Sequence, residues 1–204
     1  MNNDVYANFL RSSQPVEGYE HGMTVMGIDP SPNNTGIAIL SMGRIKFFTI
    51  GWGTEINQIE RLALFREEMD GILARYEPKA IAIEGYAFAT KFSQSHKLGE
   101  LGAVIKLCVR SYALTGVQSP LMIVPPLTLK QFVRGVGKGT KAQVIKDAKD
   151  RWKFKTSQND EIDAGALAFV AATVQYRVPE ANGHVLFPDS KGKGGVEVFN
   201  FSTW

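Results

Sequence analysis

At 204 residues, with 44% hydrophobic and 21% charged side chains, the chain suits one well-buried domain with appendages and is too short for two full ones. Its apolar runs fall far short of a membrane span and no basic-then-apolar leader opens it, so no membrane association is expected. The one cysteine, Cys108, excludes an internal disulfide and fits a reducing cytoplasm.

The first 22 residues are polar and irregular and read as a flexible arm. A domain is expected over 23–178, with 179–204 as a Gly- and Lys-containing tail. Within Thr24–Leu40, two apolar runs, Val25–Ile28 and Ile37–Leu40, flank a bend rich in Pro and Asn. That pattern predicts a strand, a turn and a returning antiparallel strand. Arg44–Trp52 supplies a third strand, expected at the sheet edge. Glu55–Tyr76 changes to helical spacing, with Ile56, Ile59, Leu62, Met69, Ile72, Leu73 and Tyr76 along one stripe. Ala80–Ile83 reads as a short buried strand closed by Glu84. Ser93–Leu114 reads as a long helix that Gly99, Gly102 and Ala103 leave partly smooth. Leu121–Val124 is another buried strand, and Thr128 can cap a short helix through Val133. After the loop GVGKGT come helices over Lys141–Trp152 and from Asn159 to about Arg177. Antiparallel strands followed by strands alternating with helices predict an α/β fold, a mixed sheet flanked by helices.

Acidic residues punctuate this pattern. Asp29 and Glu84 each end a buried strand, where a charge is costly unless paired, exposed at a cleft or bound to a metal. Asp160 and Asp163 lie three apart in a helix and so share a face. The alternative for that pair, and for Glu161 beside it, is to complement the helix N-terminus. Carboxylates without His or Cys suit Mg²⁺, with Mn²⁺ as a substitute, rather than zinc. Two such ions about 4 Å apart serve in-line phosphoryl displacement.

The formal charge of +3 is unevenly spread: nine Lys or Arg against two Asp lie between Lys130 and Lys155, leaving 14 basic and 18 acidic residues elsewhere. That is a footprint for a polyanion, with Lys130, Arg134, Lys138 and Lys141 as its candidate DNA contacts. Acids and basic stretch together describe a nuclease.

GIDPSPNNTGIAIL, IAIEGYAF, KLGELGAVI, LKQFVRGVGKGTKAQV and DEIDAGALAFVA occur in an order and spacing that resemble the RuvC family of Holliday-junction resolvases. The resemblance spans about Thr24 to Ala172. It implies a ribonuclease H-like fold with a five-stranded sheet whose first three strands are antiparallel. It also implies a homodimer and Mg²⁺-dependent nicking of four-way DNA junctions. The family's metal-binding acids fall on Asp29, Glu84, Asp160 and Asp163, and its two important lysines on Lys130 and Lys141. Its stacking aromatic falls on Ala87, leaving Tyr86 and Phe88 as the two candidate rings. The departures at both termini resemble those of bacteriophage relatives. The Leu98–Val109 helix face is the expected dimer patch. Alternative readings are a ribonuclease H acting on RNA–DNA hybrids and a non-catalytic protein that binds branched DNA.

Overall fold

A computed structural model describes residues 12–16, 19, 22–51, 56–85, 92–187 and 195–201. The hairpin forms as its turn chemistry predicts. Strands β2 (Thr24–Asp29) and β3 (Asn34–Ser41) pair antiparallel, and β3 pairs in turn with β4 (Arg44–Gly51). Strands β5 (Ile81–Glu84) and β6 (Leu121–Val124) extend the sheet from β2 in parallel.

The sheet has seven strands rather than five, because both terminal segments contribute. Ser12–Pro15, expected within a flexible arm, is a strand, β1, which pairs antiparallel with β4. Strand β4 is therefore covered and is not the edge. At the far side Glu197–Phe199, expected in the tail, is a short strand, β7, which pairs with β6. The strand order is β1-β4-β3-β2-β5-β6-β7. Unpaired backbone groups on an open edge are the physical reason for such additions.

Two helical layers cover the sheet. On one face lie α1 (Gln58–Tyr76) and α2 (Phe92–Ala113), whose Phe65, Met69, Ile72, Leu101, Ile105 and Val109 pack on Ile28, Ile37, Ile39 and Ile83. Helix α1 starts at an Asn57 cap that accepts from the Glu60 amide. On the other face lie α3 (Pro126–Arg134), α4 (Lys141–Trp152) and α5 (Asn159–Tyr176). Thr128 is not the cap of α3. The two prolines start that helix, and Thr128 is buried inside it.

Helix α5 is buried almost throughout its length and crosses β2, β3 and β5. Small residues allow this. A Cβ on Gly27 of β2 would overlap the Ala164 carbonyl, and one on Gly36 of β3 would overlap the Asp160 carbonyl. Trp152 closes α4 onto α5 by stacking on Phe169, centroids 4.6 Å apart and planes 6° from parallel. It serves packing. Trp52, the last residue of the expected third strand, lies outside the described residues. Among the described residues no helix is long and apolar enough to cross a membrane.

Candidate active site

Neighbouring parallel strands bring the first two acids together. Ile28 is in register with Ile83, so Asp29 and Glu84 end adjacent strands at the same edge of the sheet. Side chains alternate between faces along a strand. Val25 on β2 and Ala80 and Ala82 at β5 pack in the layer of α5, which puts Asp29 and Glu84 on that face too. The carboxyl ends of parallel strands are where open α/β sheets place their ligands.

Helix α5 delivers the second pair. Its first turn lies over Gly36, which is in register with Asp29 on β2. Asp160 and Asp163 both face Lys141, whose Nζ stands 3.8 Å from Asp160 Oδ1 and 3.3 Å from Asp163 Oδ2. Lys141 is the first residue of α4, started by a capping box in which Thr140 and Gln143 bond to each other's backbone amides. The four acids and Lys141 thus converge on one site. Glu84, Asp163, Lys130 and Lys141 line a cleft of about 280 Å³ whose walls also include Pro126, Leu129 and Val144.

Burial and like charge dominate the electrostatics here. Asp29, 6% exposed, is held well above the ordinary carboxylate range by burial and then by Asp163, Glu84 and Asp160. Burial, followed by the Asp163 charge, pushes Glu84 up to about 7, although a hydrogen bond with Asp29 works in the opposite direction. Asp160 and Asp163 are raised chiefly by burial, with Lys141 opposing. Burial disfavours the Lys141 ammonium, but Asp163, Asp29 and Asp160 outweigh that and leave its pKa above the ordinary value.

One ammonium does not balance four carboxylates, so the site favours further positive charge. Its donors are all oxygen, which fits a hard divalent ion. Among the described residues no three acidic, His or Cys side chains are grouped closely enough to enclose one ion by themselves. The Asp29–Glu84 hydrogen bond and the Lys141 ammonium stand among them instead.

Not every basic candidate faces the cleft. Lys130 lines it, while Lys138 is exposed on the glycine loop. Arg134 is engaged internally: its Nε pairs with Asp147 at 2.5 Å and its Nη1 donates to the Lys138 carbonyl. Its guanidinium therefore folds the loop back on α3. Arg151, also within the basic stretch, donates to the Phe132 and Val133 carbonyls and pairs with Glu180. Tyr86, Ala87 and Phe88 lie outside the described residues.

Glu161 does not complement the helix N-terminus from solvent. It is fully buried and accepts hydrogen bonds from the hydroxyls of Thr49 and Thr156. Nothing local in the sequence distinguishes it from its acidic neighbours.

Residues 25–173 match the family model described as crossover junction endodeoxyribonuclease RuvC. The RuvC of Citrifermentans bemidjiense is 30% identical over 157 residues, covering 74% of this chain and 92% of that relative. The RuvC of Petrotoga mobilis is 26% identical over 151 residues, covering 72% and 90%. Among solved structures, Thermus thermophilus RuvC in complex with Holliday junction substrate superposes with a TM-score of 0.62 at 18% identity, over 78% of this chain and 98% of that one. The yeast mitochondrial Holliday junction resolvase superposes with a TM-score of 0.51 at 16% identity, over 74% and 78%. The fold is that of the ribonuclease H-like class, with its mixed sheet between two helical layers.

Proposed function

Because the chain belongs to the RuvC family of crossover junction endodeoxyribonucleases, we propose that it cuts four-way and other branched DNA junctions by metal-dependent phosphodiester hydrolysis. The observation that carries this reading is that Glu84 and Asp163 line one cleft with Lys130 and Lys141, while Asp29 and Asp160 interact with these same groups. The nuclease core spans 23–178, with β1 and β7 of the flanking segments added to its sheet, and acts in the cytoplasm of a bacterial or phage-infected cell.

Asp29, Glu84, Asp160 and Asp163 are the residues that would hold two Mg²⁺ ions, with Mn²⁺ able to substitute. Such ions, when bound, activate a water and stabilise the leaving oxygen of an in-line displacement. The acids provide the negative field that concentrates cations there. Lys141, half exposed and paired with both aspartates of α5, can turn its ammonium to a phosphate oxygen at the scissile position. Lys130, which lines the same cleft, and Lys138, exposed on the glycine loop, contact the backbone and set the register of the DNA. Arg134 shapes the loop that presents Lys138 and has little of its guanidinium left for phosphate.

The protein acts as a homodimer. A junction has two-fold symmetry and needs two opposed nicks, which a two-fold dimer provides with two clusters. Helix α2 divides its faces: Leu101, Ile105 and Val109 are buried in the protomer, whereas Gly99, Ala103 and Leu107 are exposed. Leu107 is 62% exposed, and Gln58 Nε2 ties the start of α1 to Glu100 beside this strip. The dimer patch is this outer strip and not the whole Leu98–Val109 face.

The test is incubation with a four-way junction, a flap, linear duplex and an RNA–DNA hybrid, with and without Mg²⁺ or Mn²⁺. Metal-dependent cutting of the junction in preference to duplex and hybrid is expected. Preferential cutting of the hybrid would reassign the protein to ribonuclease H activity, and junction binding without cutting would make it a binding protein.

A further inference from the structure

We propose that Glu161 is a positioning residue for the carboxylate cluster, held in a buried brace that the N-terminal strand completes through Gln14. The inference rests on the nuclease reading above and adds to it residues that hold the acids in place.

Glu161 lies between Asp160 and Asp163 in sequence but points away from them, since successive helical residues are separated by about 100°. Its Oε1 accepts a 2.8 Å hydrogen bond from Thr49 Oγ1, and its Oε2 accepts one from Thr156 Oγ1. The two donors come from different parts of the fold. Thr49 belongs to β4 and is in register with Gly36, which is itself in register with Asp29. Asp29, Gly36 and Thr49 therefore form one row across three strands. The first turn of α5 rests on the middle of that row, where Gly36 has no side chain to hold the Asp160 carbonyl off. Asp29 stands at one end of the row, and Thr49 pins Glu161 at the other. Rotation of α5 about its axis would carry Asp160 and Asp163 away from Asp29, and the Glu161 anchor opposes that rotation.

The second donor, Thr156, lies in the segment 153–158 between α4 and α5, which has no regular backbone pairing of its own. Gln14 supplies the missing partners. Its Nε2 donates to the carbonyls of Lys153 at 3.1 Å and Trp152 at 3.4 Å, and its Oε1 accepts from the Lys155 amide at 2.8 Å. Gln14 is 3% exposed and lies in β1, outside the 25–173 region that matches the family. The added strand thus holds the segment whose threonine holds Glu161.

The competing use of Glu161 is as a satisfied core carboxylate that contributes stability alone. Thr156→Val, Thr49→Val, Glu161→Ala, Glu161→Gln and Gln14→Ala in the full chain separate the two. The measurements are Mn²⁺ binding by titration calorimetry without DNA, the Mn²⁺ concentration for half-maximal junction cleavage, metal-free junction affinity, and thermal melting. Removing a group that orients metal ligands typically weakens metal affinity by about 10–100-fold. Thr156→Val and Glu161→Ala should show that loss, with metal-free junction affinity unchanged. Glu161→Gln should lie nearer wild type, because threonine hydroxyls both donate and accept and can rotate to meet an amide. Gln14→Ala should show a smaller loss in the same direction. Variants that melt earlier yet keep wild-type Mn²⁺ affinity and half-saturation would overturn the proposal. Should Glu161→Ala fail to fold, the two threonine variants decide. A wild-type chain that neither binds Mn²⁺ nor cuts the junction would instead overturn the nuclease reading.

Discussion

Lys141 Nζ stands 3.3 Å from Asp163 Oδ2, joining the first residue of α4 to the second turn of α5. The pair is unequally placed, with the lysine side chain 60% exposed and the aspartate 13%. The cation can leave without strain, whereas the carboxylate is fixed by a buried helix. Lys141→Ala should therefore leave the fold intact and reduce the cleavage rate strongly, with a smaller effect on junction affinity. Single-turnover rates at saturating protein check this, and an unchanged rate would place Lys141 outside the reaction.

Lys130 differs in expected effect. Lys130→Ala should weaken junction binding and reduce its salt slope by about one unit, as for any lost phosphate contact. Arg134→Ala should cost stability as well as affinity, since its guanidinium closes the glycine loop through Asp147 and the Lys138 carbonyl. Binding measured across a salt series, beside thermal melting, distinguishes the two. An unchanged slope for Lys130→Ala would mean that this lysine faces solvent in the complex.

Asp29→Asn should abolish cleavage and leave junction binding intact or tighter. It removes a buried carboxyl whose ionised form Asp163, Glu84 and Asp160 all oppose, so at pH values where Asp29 is ionised the metal-free protein should also melt higher. Turnover near wild type would remove Asp29 from the site.

The acids make metal-free stability depend on pH. Glu84 is raised from 4.5 to about 7 on folding, and Asp29 is raised as well. A carboxyl whose pKa is raised in the folded state stabilises fully below its unfolded value, and that contribution is lost as pH rises through the folded value. Without divalent ions the melting temperature should fall as pH rises from 4.5 through about 7. Mg²⁺ or Mn²⁺ should restore it most at the upper end of that window. Cleavage should rise over the same window. A flat metal-free melting profile would show that the carboxylates do not interact in this way.

Gly27→Ala should destabilise severely. Its Cβ would overlap the Ala164 carbonyl and crowd the Ala168 amide, both backbone atoms of the central helix. Overpacking of this kind costs about 1–3 kcal/mol and occasionally more. Urea denaturation measures the loss, and a wild-type midpoint would mean that α5 can move off the sheet freely.

Leu107→Glu should turn a dimeric mass into a monomeric one in light scattering. On a supercoiled plasmid that extrudes a cruciform, the variant should accumulate nicked circles where the wild type gives linear DNA. A wild-type mass for the variant would move the interface elsewhere.

The sequence by itself determined the hairpin, the two strand-ending acids, the helix that begins at Lys141 and the shared face of Asp160 and Asp163. Each depends on neighbours within a few residues: turn chemistry, alternation, a capping box or helical periodicity. Only the tertiary structure decided where other side chains are spent. Arg134 and Arg151 count as basic residues in any composition, but partners brought up by the fold engage both internally. Glu161 reads like Asp160 beside it until Thr49, 112 residues away, supplies its hydrogen bond. Gln14 reads as part of a polar arm until it meets Lys155, 141 residues away. The covered β4 edge and the divided face of α2 have the same origin. Local spacing sets which way a side chain points along its own element, but what it meets there is set by chain segments that only folding brings near.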